Sequence, residues 1–443
     1  MKKPYFLSAL IFFSLSVDAQ STSKKLEHLM NTYYKLRKFN GTVFITQKGK
    51  VLLEKGFGYQ NIKSKVPNGP QTIYQIASVT KPFTSTLTLK LVEMNKLQLT
   101  DRISKFYPNF PKGDSITVRH LLSHTSGISD HDADTTKKFR QATEEETFIE
   151  KVKSRTPDFS PGTDWRYSNS GYIMLGYIIQ KVTQMSYYDA IRKYIFKPAG
   201  MRQSAFDFAA LNSPYKATGY WVFPENDDAE PAKLINYDAP KAAGAIYSTV
   251  GDLYKFHKAL QSGSLVSHKL LKEAYTPVML NYGYGWIAEQ ATNKKMVSHS
   301  GDIWGFKAEF ARLPEDDVCI IMLSNAEDLD LHSITFKLIS ILFNQPYQFP
   351  AQNKIQLDDA TLNSYAGKYE LRPGELIEVR ADNHRLMATT GTTQEMYAQQ
   401  KDLFLLDNGR DKRTVTFERD GAGNVISLSF MNGDQKMTCK KVK

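Results

Sequence analysis

Apolar positions along this chain follow two rhythms, one helical and one strand-like, and the switch between them divides the sequence. Leu26, Leu29, Met30, Tyr33 and Leu36 recur at three- and four-residue steps, which predicts an amphipathic helix over residues 23–39. Residues 42–46 and 51–54 are β-type runs joined around Gly49, a hairpin signal. After Pro82, Leu87, Leu91 and Met94 follow at helical spacing until about Asn95; Pro82 suits a first turn, where its missing N–H costs nothing. Residues 118–122, 172–182, 250–260 and 331–343 read as further helices. Thr143 followed by Glu146 has the form of a capping box opening a helix through Val152. Strand character returns at 284–288, 296–299, 308–313 and 318–323.

Beyond a proline-bounded linker at 346–350 the texture changes. Short alternating runs at 377–381, 386–390, 396–398, 403–406, 414–419 and 425–430 are separated by Gly, Asn and Asp turns, with a hairpin loop at 420–424. The expected organisation is a first domain over 20–345, a linker over 346–354 and an antiparallel, barrel-like β-domain over 355–443. Residues 1–19 read as a secretory signal: Lys2 and Lys3, an apolar run over 6–17, then small residues at 17–19. That run is short for a membrane span and no cysteine follows it, so the expectation is an exported, secreted or periplasmic protein with no stable membrane anchor.

With 41% hydrophobic and 23% charged residues the chain has the composition of a globular protein. Its net charge of +11 is carried by scattered lysines with no nucleic-acid motif, so no nucleic-acid partner is expected. The charge permits attraction to anionic cell-envelope polymers. The two cysteines, Cys319 and Cys439, have no metal-binding spacing, and Cys319 lies in an apolar run where it reads as a buried thiol.

The candidate chemistry centres on Ser78-Val-Thr-Lys81. On a helix, positions i and i+3 share a face, so a hydroxyl and an amine would project together. A lysine accepts a proton only when neutral, which requires a desolvated or cation-crowded site. Taken alone the pattern is weak and is more often that of a capping serine and a solvated lysine. Two further segments add to it: Tyr167-Ser-Asn169 supplies a phenol and an amide, and His299-Ser-Gly301 supplies a strand ending in small residues that can run beside a substrate.

Together these three segments, in this order, resemble the serine β-lactamase-related hydrolases, a group that includes class C β-lactamases, D-specific peptidases and β-lactamase-fold esterases. The resemblance covers about residues 35–345, with supporting matches at Leu121–Gly127, Gly200-Met201 and Tyr284-Gly285-Trp286. It implies an α/β (α+β) fold: a transpeptidase-like antiparallel sheet flanked by helices, with an inserted helical region. It also implies roles. Ser78 would be acylated; Lys81 and Tyr167 would act together as base and then return the proton. Asn169 would orient the substrate, and His299, Ser300 and Gly301 would line it. The amides of Ser78 and Asp302 would hold the oxyanion.

One position departs from the pattern. Penicillin-recognising members carry lysine where this chain has His299, and a neutral imidazole is a poor clamp for a carboxylate. The resemblance therefore points to D-amino-acid-containing peptides or small esters as substrates. A β-lactam-hydrolysing or penicillin-binding protein is the alternative within the family, and a non-catalytic binder or sensor of envelope ligands is the alternative outside it. No cofactor or metal is implied. Asp130, Asp132 and Asp134 mimic a calcium loop, but Thr135 and Gln141 stand where Gly and Glu are needed. His124, held in a turn between Ser123 and Thr125, reads as structural, and Trp165 and Trp304 as pocket-lining candidates.

Overall fold

The computed structural model describes residues 7–130, 144–221, 230–327, 329–350, 357–372, 374–382, 385–390, 392–407, 412–432 and 435–442. Thr143, Asp132, Asp134, Thr135 and Gln141 lie outside them. The chain divides into two compact units, Met1–Gln348 and Phe349–Lys443.

In the first unit six antiparallel strands form one sheet: β1 (Gly41–Gln47), β2 (Lys50–Phe57), β3 (Ile287–Ala291), β4 (Lys294–Ile303), β5 (Phe306–Leu313) and β6 (Val318–Ser324), in the order β2-β1-β6-β5-β4-β3. The β1–β2 hairpin turns at Lys48 and Gly49, both with positive φ. Both faces of the sheet are covered, and this explains why β6 reads as an unbroken apolar run. Val318, Ile320 and Met322 enter one core with Val43 and Ile45, while Cys319, Ile321 and Leu323 enter the other with Phe44. The first core is closed by helix α1 (Leu7–Lys35) through Leu26, Leu29 and Met30. Its second lid is a helix near the end of the unit, Leu331–Leu342.

On the opposite face lie α2 (Thr80–Glu93), α3 (Val118–Leu122), α4 (Glu145–Lys153), α5 (Asn169–Thr183), α6 (Lys241–Gly244) and α7 (Val250–Gln261). Helix α2 is buried on all sides from Thr80 to Leu89, so it lacks the polar face of a surface helix. Its hydroxyls are satisfied locally. Thr86 and Thr88 donate to carbonyls one turn back, Pro82 O at 2.7 Å and Thr84 O at 2.8 Å. Ser85 donates to Tyr284 O at 2.6 Å and Thr84 to Ala242 O at 2.7 Å, tying the helix to its neighbours.

The structure departs from the sequence expectation at several elements. Helix α1 stops at Lys35 rather than 39, because Arg37 adopts φ 57°. The amides of Arg37 and Lys38 then close on Tyr34 O and Tyr33 O at 2.9 and 2.8 Å, a left-handed cap that turns Phe39 into the core. Helix α4 opens on Glu144, whose side chain makes no cap hydrogen bond, and Thr143 of the expected capping box lies outside the described residues. The strand expected at 284–288 begins at Ile287, since Gly285 takes φ 76° and packs against Lys81 O. Alternation marked six strands in the second unit and eight are present.

The second unit begins with a helix, Asp359–Tyr365. The strands are β7 (Gly367–Arg372), β8 (Glu375–Asp382), β9 (Arg385–Thr390), β10 (Thr392–Gln400), β11 (Leu403–Asp407), β12 (Lys412–Arg419), β13 (Val425–Asn432) and β14 (Gln435–Val442). They form a closed antiparallel barrel, β14 pairing back to β7. The interior holds Tyr365, Tyr369, Phe404, Phe417 and Cys439. Cys319 and Cys439 are both free, buried thiols in different units. Among the described residues no helix is long and apolar enough to cross a membrane.

Phe83 anchors α2 by stacking on Phe256 with centroids 3.9 Å apart, and both rings are fully buried. Phe83→Ala is therefore expected to destabilise the first unit by about 3–5 kcal/mol in urea unfolding. A loss under about 1 kcal/mol would contradict this packing.

Candidate active site

Ser78 sits in a 3-10 turn, Ala77–Val79, that runs directly into α2. Ala77 holds φ 47°, a conformation that costs an L-residue of order 1–2 kcal/mol and marks a backbone bent for a purpose. The turn is fixed by Ile76 N donating to Ile246 O at 3.0 Å and Val79 N to Ile76 O at 3.1 Å. One turn along, the Lys81 amine lies 3.0 Å from Ser78 Oγ.

Lys81 is completely buried and has two further contacts: Asn169 Oδ1 at 2.8 Å and the Ala243 carbonyl of α6 at 2.9 Å. Both are acceptors, so a neutral amine gives them its two N–H bonds and its lone pair is left for the Ser78 hydroxyl. Burial lowers the amine to about 7, while the Asp130 carboxylate draws it partly back up. The Tyr167 and Tyr172 rings wall the amine in, their centroids 4.7 and 5.5 Å from Nζ.

The nearby Ser78 hydroxyl draws the Tyr167 phenol down, but burial outweighs it and pushes the phenol up, so it stays protonated. Asn169 is the first residue of α5, and Ser168 caps that helix by accepting from Gly171 N at 3.2 Å. Asp130 accepts from Asn169 Nδ2 at 3.2 Å and from Ser170 N at 2.8 Å.

His299 lies on β4 and is buried. Its Nδ1–H donates to Ser300 O at 2.6 Å and its Nε2 accepts from the Tyr282 hydroxyl at 2.9 Å, so both nitrogens are committed. Burial, helped by the Lys81 charge, lowers it to about 3. The imidazole is neutral, with no positive charge to offer. His124 accepts from Ser168 N at 3.1 Å and packs within 5.1 Å of the Tyr167, Tyr172 and Tyr282 rings. Burial holds it well below the usual imidazole range, so it buttresses the tyrosines as a neutral ring.

Strand β3 pairs with β4 only as far as Ser298, so from His299 to Ile303 one edge of β4 carries no partner strand among the described residues. Gly301 lies against the serine turn: a Cβ there would fall 2.1 Å from Ile76 O and 3.1 Å from Ser78 N. The Ser300 and Asp302 side chains are exposed, and the Asp302 carboxylate is paired with Lys307 at 3.1 Å.

The structure thus joins Ser78, Lys81 and Asn169 by hydrogen bonds, sets the Tyr167 ring against the Lys81 amine and 6.3 Å from the His299 ring, and presses Gly301 onto the serine turn. Trp165 packs near His124 and Tyr282, whereas Trp304 pairs with Trp221. Sequence reasoning missed Asp130, Tyr282 and the Ala243 carbonyl. Asp130 drew notice only as part of a false calcium loop, and its partner Asn169 stands 39 positions away.

Residues 26–339 match the beta-lactamase family model, and residues 351–441 match a domain of unknown function, DUF3471. Penicillin-binding protein 4* of Bacillus subtilis (strain 168) is 32% identical over 400 residues, covering 83% of this chain and 87% of that protein. The octameric penicillin-binding protein homologue from Pyrococcus abyssi superposes with a TM-score of 0.68 at 26% identity, over 94% of this chain and 99% of that one. The D-amino acid amidase from Ochrobactrum anthropi SV3, solved with D-phenylalanine, shares the fold at a TM-score of 0.61 and 23% identity, over 72% and 99% of the two chains.

Gly301→Ala is expected to push β4 off the serine turn and lower the first unit's melting temperature by several degrees. Calorimetry showing no shift would mean that the strand yields without strain.

Proposed function

Because the chain belongs to the β-lactamase family of serine hydrolases, we propose that it acts through a Ser78 acyl-enzyme on esters or amides, above all D-amino-acid-containing peptides and small esters. The observation that carries this reading is the Lys81 amine, wedged between two acceptors with its lone pair left for the Ser78 hydroxyl. Ser78 Oγ attacks the substrate carbonyl carbon as its proton passes to Lys81 Nζ. The oxyanion is held by the amides of Ser78 and Asp302, the first at the entry to α2, where the helix dipole favours negative charge. When the C–N or C–O bond breaks, the proton returns to the leaving group through the protonated Tyr167 phenol. Water then repeats the sequence in reverse and frees Ser78. Asn169 and the free edge of β4 hold the substrate in register.

The substrate class follows from His299. A neutral imidazole with both nitrogens engaged does not clamp a carboxylate, so it favours amides and esters over penicillin-like acids. The fold shared with a D-amino acid amidase supports the same choice. Lys2, Lys3 and the apolar run at 6–17 support export as the route to such substrates.

Intact-mass analysis with a fluorophosphonate is expected to show a single adduct that Ser78→Ala abolishes, and equal labelling of both proteins would disprove the nucleophile. With Lys81 titrating at about 7, kcat/KM for p-nitrophenyl acetate should climb about tenfold per pH unit below that point and level off above it. A profile flat from pH 5 to 9 would remove Lys81 as the base. His299→Lys should raise the rate of acylation by benzylpenicillin about tenfold relative to p-nitrophenyl acetate, as an added charge-assisted hydrogen bond would. An unchanged ratio would separate position 299 from carboxylate recognition.

A further inference from the structure

We propose that Asp130 is a positioning residue of this site, its carboxylate fixing which end of the Asn169 amide faces Lys81. The inference rests on the acyl-enzyme reading above. A carboxamide keeps nearly the same shape when its oxygen and nitrogen exchange places, so its partners decide its orientation. An ionised carboxylate only accepts. Asp130 Oδ2 therefore selects the NH2 end of Asn169 at 3.2 Å and leaves Oδ1 turned to Lys81 Nζ at 2.8 Å. With the amide reversed, an N–H would face the amine and compete with Ser78 for its lone pair.

Asp130 is itself held in place. Its Oδ1 accepts from Ser170 N at 2.8 Å, in the first turn of α5, where unpaired N–H groups favour an anion. Arg155 Nη1 donates to its backbone carbonyl at 2.7 Å. The helix end is thus shared: Ser168 caps Gly171 while Asp130 takes the preceding amide.

Asp130 also bears on the charge of Lys81. The groups around that amine are Ser78, Asn169, the Ala243 carbonyl, the Tyr167 and Tyr172 rings, and more distantly His124 and His299. Both imidazoles are held neutral and both phenols protonated, so among the described residues the negative charge that reaches Lys81 is that of Asp130. A nearby carboxylate favours the ammonium, so its loss must lower the pH at which the amine becomes free.

The experiment compares wild type, Asp130→Asn and Asp130→Glu as full-length proteins, measuring Ser78 labelling by fluorophosphonate and p-nitrophenyl acetate turnover from pH 5 to 9. Asp130→Asn is expected to lower the plateau rate at least about tenfold and to move the ascending limb down by roughly one pH unit. Asp130→Glu keeps the charge, so its limb should stay in place while its longer arm leaves the plateau reduced. Asp130→Asn turning over at the wild-type rate overturns the proposal. So does a reduced rate with an unmoved limb and a parallel drop in melting temperature, the mark of a structural role. Should Asp130→Asn not fold, Asp130→Glu at the wild-type plateau overturns it. Wild type that is never labelled at Ser78 overturns the parent reading, whereas labelled wild type with an unaffected Asp130→Asn overturns this inference alone.

Discussion

A single amine without access to water governs the arrangement of this site. Lys81 is as buried as Tyr172 beside it, and charging it there costs several kcal/mol relative to solvent. That cost is what makes a lysine a usable base near neutrality, and it dictates the surroundings. Helix α2 has to be central rather than peripheral, its hydroxyls have to find carbonyl partners, and the phenols of Tyr167 and Tyr172 have to keep water out. Two acceptors then settle how the amine presents itself to Ser78. Helix packing, helix capping and proposed chemistry are here one problem with one solution.

The second constraint is close approach. Strand β4 can lie beside the serine turn only because residue 301 has no side chain, and its outer edge is available only because β3, starting at Ile287, pairs with it no further than Ser298. The left-handed backbone of Ala77 completes the fit from the other side. These features cost stability locally, and the two cores packed on the faces of the sheet offset them.

Much of this was legible in the chain itself. The three segments carrying Ser78, Tyr167 and His299 were readable because together and in order they resemble the motifs of the serine β-lactamase-related hydrolases, whereas the spacing of Ser78 and Lys81 alone left a helix cap open. The β-domain was readable from alternation, whereas the antiparallel sheet of the first unit was implied by the resemblance, its strand β6 being apolar on both faces. What escaped reading was non-local. Asp130 and Tyr282 carry no signature of their own and gain meaning only from partners 39 and 17 residues away. The end of α1 escaped because Arg37 does what glycine usually does at a helix terminus. The first and last barrel strands escaped because β7 has little alternation and β14 is dense in lysine, yet each closes the ring on the other.

That ring has a consequence for how the second unit meets other molecules. An open sheet always offers two rows of unsatisfied amides and carbonyls to any extended chain that comes near, and β2 and β3 are such margins in the first unit. With β14 paired to β7, the C-terminal unit has no margin to lend. A molecule that meets it finds side chains to grip rather than an open row of amides and carbonyls.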